Sequence, residues 1–181
     1  MRISTKTIVS IGMFAAIISV LSIVTIPMPS GVPVTLQTFA IALAGFTLGA
    51  KRGTSATTVY LLLGAVGIPV FAGMTGGISR LFGHTGGFLW GFLFLTLFCG
   101  IGIHCRPVWM RVTLGIVGLA VCHVIGVMQF AVVAGSPVPE AFLLASAPYI
   151  AKDIVSVLGA YAVALPVRHA LSASRLMSSS Y

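Results

Sequence analysis

Acid is nearly missing from this sequence. Its 181 residues hold two carboxylate side chains, Glu140 and Asp153, and charged residues of both signs make up only 7%. A soluble domain carries roughly 25% charged residues. With 58% of residues hydrophobic, a water-bound fold of this size could not hide its apolar side chains, because much of its surface must face solvent. The shortage of charge therefore excludes a soluble domain and requires lipid as the solvent. Alternation is missing as well. Strands of a membrane barrel alternate apolar and polar residues over about ten positions, whereas here the apolar runs are continuous. The three cysteines (Cys99, Cys105 and Cys122) have no CxxC spacing, and Cys99 and Cys122 read as small buried hydrophobes within apolar runs. No GxxxxGK[ST] loop occurs, so no nucleotide-binding motif is present. No A-x-A site follows the long first apolar run, so no cleavable signal peptide is expected.

What remains is a set of apolar runs separated by basic residues. The runs are 7–26, 36–49, 54–71, 88–103, 112–134 and 148–165, which predicts an all-α integral membrane protein of six transmembrane helices. They form one domain over 1–171, with a Ser-rich, disordered tail over 172–181. The second run, ended by Lys51-Arg52-Gly53, is roughly 21 Å long at about 1.5 Å per residue, short for a bilayer. Pro69 lies inside the third run, and Gly135 to Glu140 reads as a loop. The net charge of +8 forms no stripe or tail, so nucleic acid is not an expected partner. Eight of the ten Lys and Arg (Arg2, Lys6, Lys51, Arg52, Arg106, Arg111, Arg168, Arg175) fall on one side of a six-span topology. The positive-inside rule puts that side, with both termini, in the cytoplasm.

The polar chemistry gathers on the other side. An ionisable group at membrane depth costs about 2.5–3.5 kcal/mol on insertion scales, so one near a span end needs a reason. Glu140 reads as a solvated loop carboxylate. Asp153, at or just inside the start of the sixth helix, is either a charge favoured by the helix dipole or the polar anchor of a ligand cavity. Lys152 lies about 100° around the helix from Asp153, so the two do not point inward equally, and snorkelling to the surface is favoured for Lys152. Tyr149 and Ser156 share the face of Asp153. A glycine-rich segment, Phe71-Ala72-Gly73-Met74-Thr75-Gly76-Gly77-Ile78-Ser79-Arg80, permits close backbone approach to a ligand. Gln37 opens the short second helix, as an end cap or as an amide that reads substrate. His84 has no second ligand at metal spacing and reads as a loop histidine, and the four histidines are scattered. No acid/base or metal constellation suggests an enzyme.

The same segments carry a resemblance. Pro33-Val34-Thr35-Leu36-Gln37-Thr38-Phe39, Leu48-Gly49-Ala50-Lys51-Arg52-Gly53, the run from Leu61 to Phe71, Gly83-His84-Thr85-Gly86-Gly87-Phe88 and Pro148-Tyr149-Ile150-Ala151-Lys152-Asp153 follow in order. Over nearly the whole chain the sequence resembles BioY, the biotin-specific S-component family of energy-coupling-factor (ECF) transporters. The resemblance implies a six-helix subunit in a prokaryotic cell membrane that captures biotin at its outer face. It implies as partners a transmembrane coupling protein and two ATPase subunits, which use the ATP, and no cofactor in this chain. The candidate substrate-binding set is Gln37, Thr75, Gly76, Gly77, Arg80, Phe88, Tyr149, Lys152, Asp153 and Ser156. The resemblance carries over Gln37, Thr75 to Gly77, Phe88 and Asp153; Tyr149 and Ser156 join them on the Asp153 face, and Arg80 and Lys152 are the nearby cations. In this reading Asp153 accepts from ureido N–H groups, Gln37 or Thr75 completes the set, and Phe88, Trp90 or Tyr60 packs on the rings. Arg80 or Lys152 neutralises the valerate carboxylate. The small-residue rows Gly12-x-x-x-Ala16 and Ala15-x-x-x-Ser19 fit a close helix contact, to the coupling protein or within the subunit. The chain departs from the family pattern at Ser156, where Lys is common, at His84, where Pro is usual, and at Lys152, where Gly or Pro is usual. A different vitamin or small heterocycle, or a solitary biotin transporter, is the alternative reading.

Overall fold

The computed structural model describes residues 4–28 and 32–173. Arg2, Arg175 and the tail from 174 onward lie outside them. Ser4 caps the first helix, α1 (Thr5–Ile23), by accepting a hydrogen bond from the Thr7 amide at 3.3 Å. A two-residue strand β1 (Thr25–Ile26) pairs antiparallel with β2 (Val34–Thr35). The helices α2 (Gln37–Ala65), α3 (Ser79–Phe82), α4 (Gly86–Gly102), α5 (Val108–Ala134), α6 (Val138–Ala145) and α7 (Ala147–Ala173) follow.

The continuous helical pattern of α2 hides a reversal at Gly49, whose φ of 79° and ψ of 176° are not helical. A Cβ at Gly53 would stand 2.9 Å from the Ala44 carbonyl oxygen. Nine residues of straight helix would separate those positions by about 13 Å. The chain therefore folds back, and α2 is a hairpin of two arms. The second span ends at Gly49, as expected, while Lys51-Arg52-Gly53, read as the stop between two spans, already belongs to the next arm. The break falls at Gly49 because only glycine takes that backbone without strain, while Lys and Arg are good helix formers. Arg168 on α7 donates from Nη1 to the Phe46 and Thr47 carbonyls at 3.2 and 2.8 Å, satisfying the end of the first arm.

With the two arms counted separately, six rods cross the long dimension: α1, both arms of α2, α4, α5 and α7. Three of them (α1, α5 and α7) are long and apolar enough to span a membrane by themselves, and α4 is a shorter apolar helix. Small residues let the rods approach: a Cβ at Gly91 would lie 2.7 Å from the Cα of Cys122, and one at Gly45 2.6 Å from the Thr96 carbonyl. The core holds Ile18, Ile41, Phe46, Tyr60 and Leu95, with the Thr57 and Thr96 hydroxyls paired at 2.8 Å. Large apolar side chains also point outward, with Val132 80% and Val155 68% exposed. Scattered over the helices in this way, they suit a lipid surround rather than water.

Further boundaries differ from the sequence reading: α1 ends at Ile23 rather than Ile26, with Thr25–Ile26 in β1, and α5 starts at Val108 rather than Val112. The third span stops at Ala65 rather than Phe71. Gly77 turns back to donate to the Gly64 carbonyl at 2.7 Å, and the Phe71 ring fills the space over Gly64. Glu140 lies in the first turn of α6 rather than in a loop. The last helix continues past Leu165 and Pro166 to Ala173, with Arg168 bound to α2, so Ser172 is helical.

Candidate functional site

At one end of the bundle the segments 32–36, 66–85 and 135–146 come together over a cavity of about 890 Å³. Cross-ties fix its rim. Tyr149 donates its hydroxyl to the Val32 carbonyl, and Lys152 Nζ donates to the Thr35 carbonyl at 3.1 Å. From α5, Gln129 Nε2 donates to the carbonyls of Leu81 at 2.9 Å and Gly83 at 3.0 Å. Trp90 Nε1 also donates to the Leu81 carbonyl, at 3.1 Å. The opposite end, carrying the Gly49 turn and the segment 103–107, holds Lys6, Lys51, Arg52, Arg106, Arg111 and Arg168.

The cavity floor is ionic. Asp153 is 6% exposed, although it sits six residues, or about 9 Å, inside α7. One carboxylate oxygen, Oδ1, pairs with Lys152 Nζ. The other, Oδ2, is 3.3 Å from His123 Nε2. His123 Nδ1 is 2.7 Å from the Ser146 hydroxyl, and its ring stands edge-on to Phe88, centroids 5.7 Å apart. Lys152 does not snorkel outward as expected. Its long stem bends back, and the buried carboxylate together with the Thr35 carbonyl holds the ammonium half-buried.

Of the residues expected to bind substrate, Gln37, Thr75, Arg80, Phe88, Tyr149, Lys152 and Asp153 line this cavity. Gly76, Gly77 and Ser156 do not. A Cβ at Gly76 would meet the Ile68 carbonyl at 2.6 Å, so Gly76 and Gly77 pack the loop against the end of α2. Gln37 is committed within the wall. Its amide donates to Tyr60 Oη, and its backbone N–H reaches Thr35 Oγ1 at 3.2 Å. Tyr60 is fully buried against the Phe71 edge, and neither Tyr60 nor Trp90 faces the cavity; Phe71, Phe88 and Phe92 supply the aromatic wall. Arg80 is exposed at the mouth, as is Glu140, and among the described residues no carboxylate pairs with Arg80. On α1 the two small-residue rows part. Ala15 and Ser19 are buried, while Gly12 and Ala16 face outward, with nothing within 4 Å of a Cβ at Gly12.

His123 is the functional candidate that sequence reasoning passed over. Its position in the middle of an apolar run was the available sign, since ionisable residues inside spans face cavities or partners. Among the described residues no group of His, Cys, Asp and Glu could hold a metal ion.

The comparisons with known proteins agree with one another. Residues 1–173 match the BioY family. A probable biotin transporter BioY from Pyrococcus horikoshii is 37% identical over 159 residues, covering 88% of this chain and 94% of that protein. The biotin transporter BioY of Thermotoga maritima is 33% identical over 167 residues, covering 90% and 96%. The crystal structure of the S-component for biotin from an ECF-type ABC transporter superposes with a TM-score of 0.80 over 94% of this chain and 95% of that one. At 22% identity it shows a shared fold. A match from the first residue to 173, with relatives aligned almost end to end, settles the family: this chain belongs to BioY, a family of transporters and not of enzymes.

Proposed function

We propose that this protein is the biotin-binding membrane subunit of an ATP-driven importer. It captures biotin in the cavity from outside the cell and passes it inward with an ECF coupling protein and two ATPase subunits, which use the ATP. The reading places it in a prokaryotic plasma membrane with both termini in the cytoplasm, supported by the eight-to-two division of Lys and Arg between the two ends. The observation that carries it is a one-sided cavity, in a BioY-family chain, whose buried floor sets a hydrogen-bond donor beside an acceptor. A cyclic urea presents an N–H next to its C=O. The Asp153 carboxylate accepts from that N–H, and Lys152 donates to the adjacent oxygen. The fused rings lie against Phe88, Phe92 and Phe71. The valerate carboxylate meets Arg80 at the mouth, because the ammonium of Lys152, held at the floor by Asp153 and the Thr35 carbonyl, has only its third N–H left and gives it to the ureido oxygen. Binding of labelled biotin to the purified protein tests this. Saturable binding that unlabelled biotin displaces and other vitamins do not is expected; no saturable binding at micromolar ligand overturns it.

A further inference from the structure

The ion pair at the cavity floor is only half of the cluster there. A carboxylate has about four lone-pair sites on two oxygens, and Lys152 occupies one of them on Oδ1. Lys152 and the Thr38 side chain, which also hydrogen-bonds the carboxylate, leave the direction of the Oδ2 lone pairs to the partner on that oxygen. His123 holds it, and His123 is itself held. It is 9% exposed and stands on a different helix from Asp153.

Its outer partner, Ser146, is fully buried at the corner between α6 and α7 and is fixed by its backbone. The Ser146 N–H donates to the Phe142 carbonyl at 3.0 Å, and its own carbonyl accepts from the Tyr149 and Ile150 amides at 2.9 and 3.2 Å. A neutral imidazole donates from one nitrogen and accepts at the other, and the partner at one nitrogen decides which. With the Ser146 hydroxyl donating to Nδ1, the proton sits on Nε2 and points at Asp153. This arrangement gives both imidazole nitrogens and the Ser146 hydroxyl a partner. The edge-on Phe88 ring closes the remaining side of the imidazole.

We infer that His123, locked by Ser146, is a positioning residue for the substrate: it fixes which lone pairs of Asp153 reach the ligand. The inference rests on the biotin reading for its ligand, but the lock exists without ligand, so the two can fail separately. The lock is read on ligand-free protein by nitrogen NMR of labelled histidine. His123 is expected as the single Nε2–H tautomer in the parent protein and as a mixture in Ser146→Ala. An unchanged tautomer in Ser146→Ala removes the lock.

The positioning is read in biotin affinity. His123→Phe, which keeps ring volume but cannot donate, is expected to weaken binding about tenfold or more, the weight of one charge-assisted hydrogen bond. His123→Gln, whose Nε2 reaches a similar place, is expected to keep most of the affinity, and it also serves if the Phe variant does not fold. The decisive arm is a double-mutant cycle. In an Asp153→Asn background, His123→Phe is expected to cost less than about twofold, since the carboxylate it positions is gone. Equal losses in both backgrounds, or full affinity in His123→Phe, overturn the inference. Absence of biotin binding in the parent protein would instead sink the ligand assignment, leaving the tautomer result to judge the lock.

Discussion

Lys152 and Asp153 are neighbours in a helix, where about 100° separates their side chains, yet both serve one cavity. The shorter side chain points in and is buried, while the longer one reaches round to it. Asp153 was readable from the sequence because carboxylates are so scarce there. The direction of Lys152 was not, because rotamers of a long flexible side chain follow their partners and not the local pattern. Removing the cation leaves a buried charge unpaired, which costs about 3–5 kcal/mol. Lys152→Met is therefore expected to lower the melting temperature in detergent, and adding Asp153→Asn should restore a large part of it. A double variant no better than the single one would contradict the pairing. Asp153→Asn alone is expected to weaken biotin binding by about 1–3 kcal/mol, the cost of an unmatched buried polar partner, measured by titration. Arg80 separates from these residues by ligand chemistry. Arg80→Gln should weaken binding of biotin but not of its neutral methyl ester, and equal losses for both would move the carboxylate elsewhere.

Among the elements, the spans that follow from long apolar runs were legible, within two residues at both ends of α4 and to the residue at the end of α5, though α5 starts four residues earlier than its run. What the sequence concealed depends on backbone folding back on itself. Gly49 reads like any glycine in an apolar run, and its neighbours Ala50, Lys51 and Arg52 are all competent helix formers. The sequence reading closed its second span at residue 49, as the fold does, but only the contact between the two arms shows how tightly the chain reverses there, two residues before Lys51. The short α6 was hidden for another reason. Two prolines, Pro137 and Pro139, punctuate its start, and proline in a first turn is as compatible with a helix as with a loop. The cavity residues were readable where they are chemically unusual, as Gln37 and Asp153 are. Gly76 and Gly77 were expected there from their motif and Ser156 from its helix spacing to Asp153, and none of the three lines the cavity. The Gly49 turn carries its own test. Gly49→Ala places a side chain at φ 79° and a methyl 3.0 Å from His104 Nε2. It should cost about 1–3 kcal/mol for a positive-φ extended backbone that only glycine adopts readily and show as a lower melting temperature. Gly12→Ala, in an open stretch of helix, should lower nothing. Indistinguishable melts for the two would refute the strained turn.

The whole molecule is polarised along its long axis. One end is a cation-rich set of tight turns: the Gly49 reversal, the segment 103–107 in which Arg111 Nε donates to the Cys105 carbonyl at 2.8 Å, and the Arg168 clamp. The other end spends its chain on loops, two short strands and α6 to enclose a cavity. A membrane potential and the cytoplasmic leaflet both favour the cationic end inside, so the cavity should open outward. Native thiols make this testable. Cys99 and Cys122 are buried, and Cys105, in the segment 103–107, is partly exposed. Ser79 is exposed at the cavity rim and has no part in the proposed hydrogen bonding. In the Ser79→Cys variant, a membrane-impermeant maleimide added to intact cells should label position 79 and leave Cys105 untouched, and inverted vesicles should give the opposite. Saturating biotin should slow labelling at 79 from outside without changing the rate at Cys105 from inside. Labelling of Cys105 in intact cells would invert the molecule in the membrane, and with it the direction in which the cavity meets its ligand.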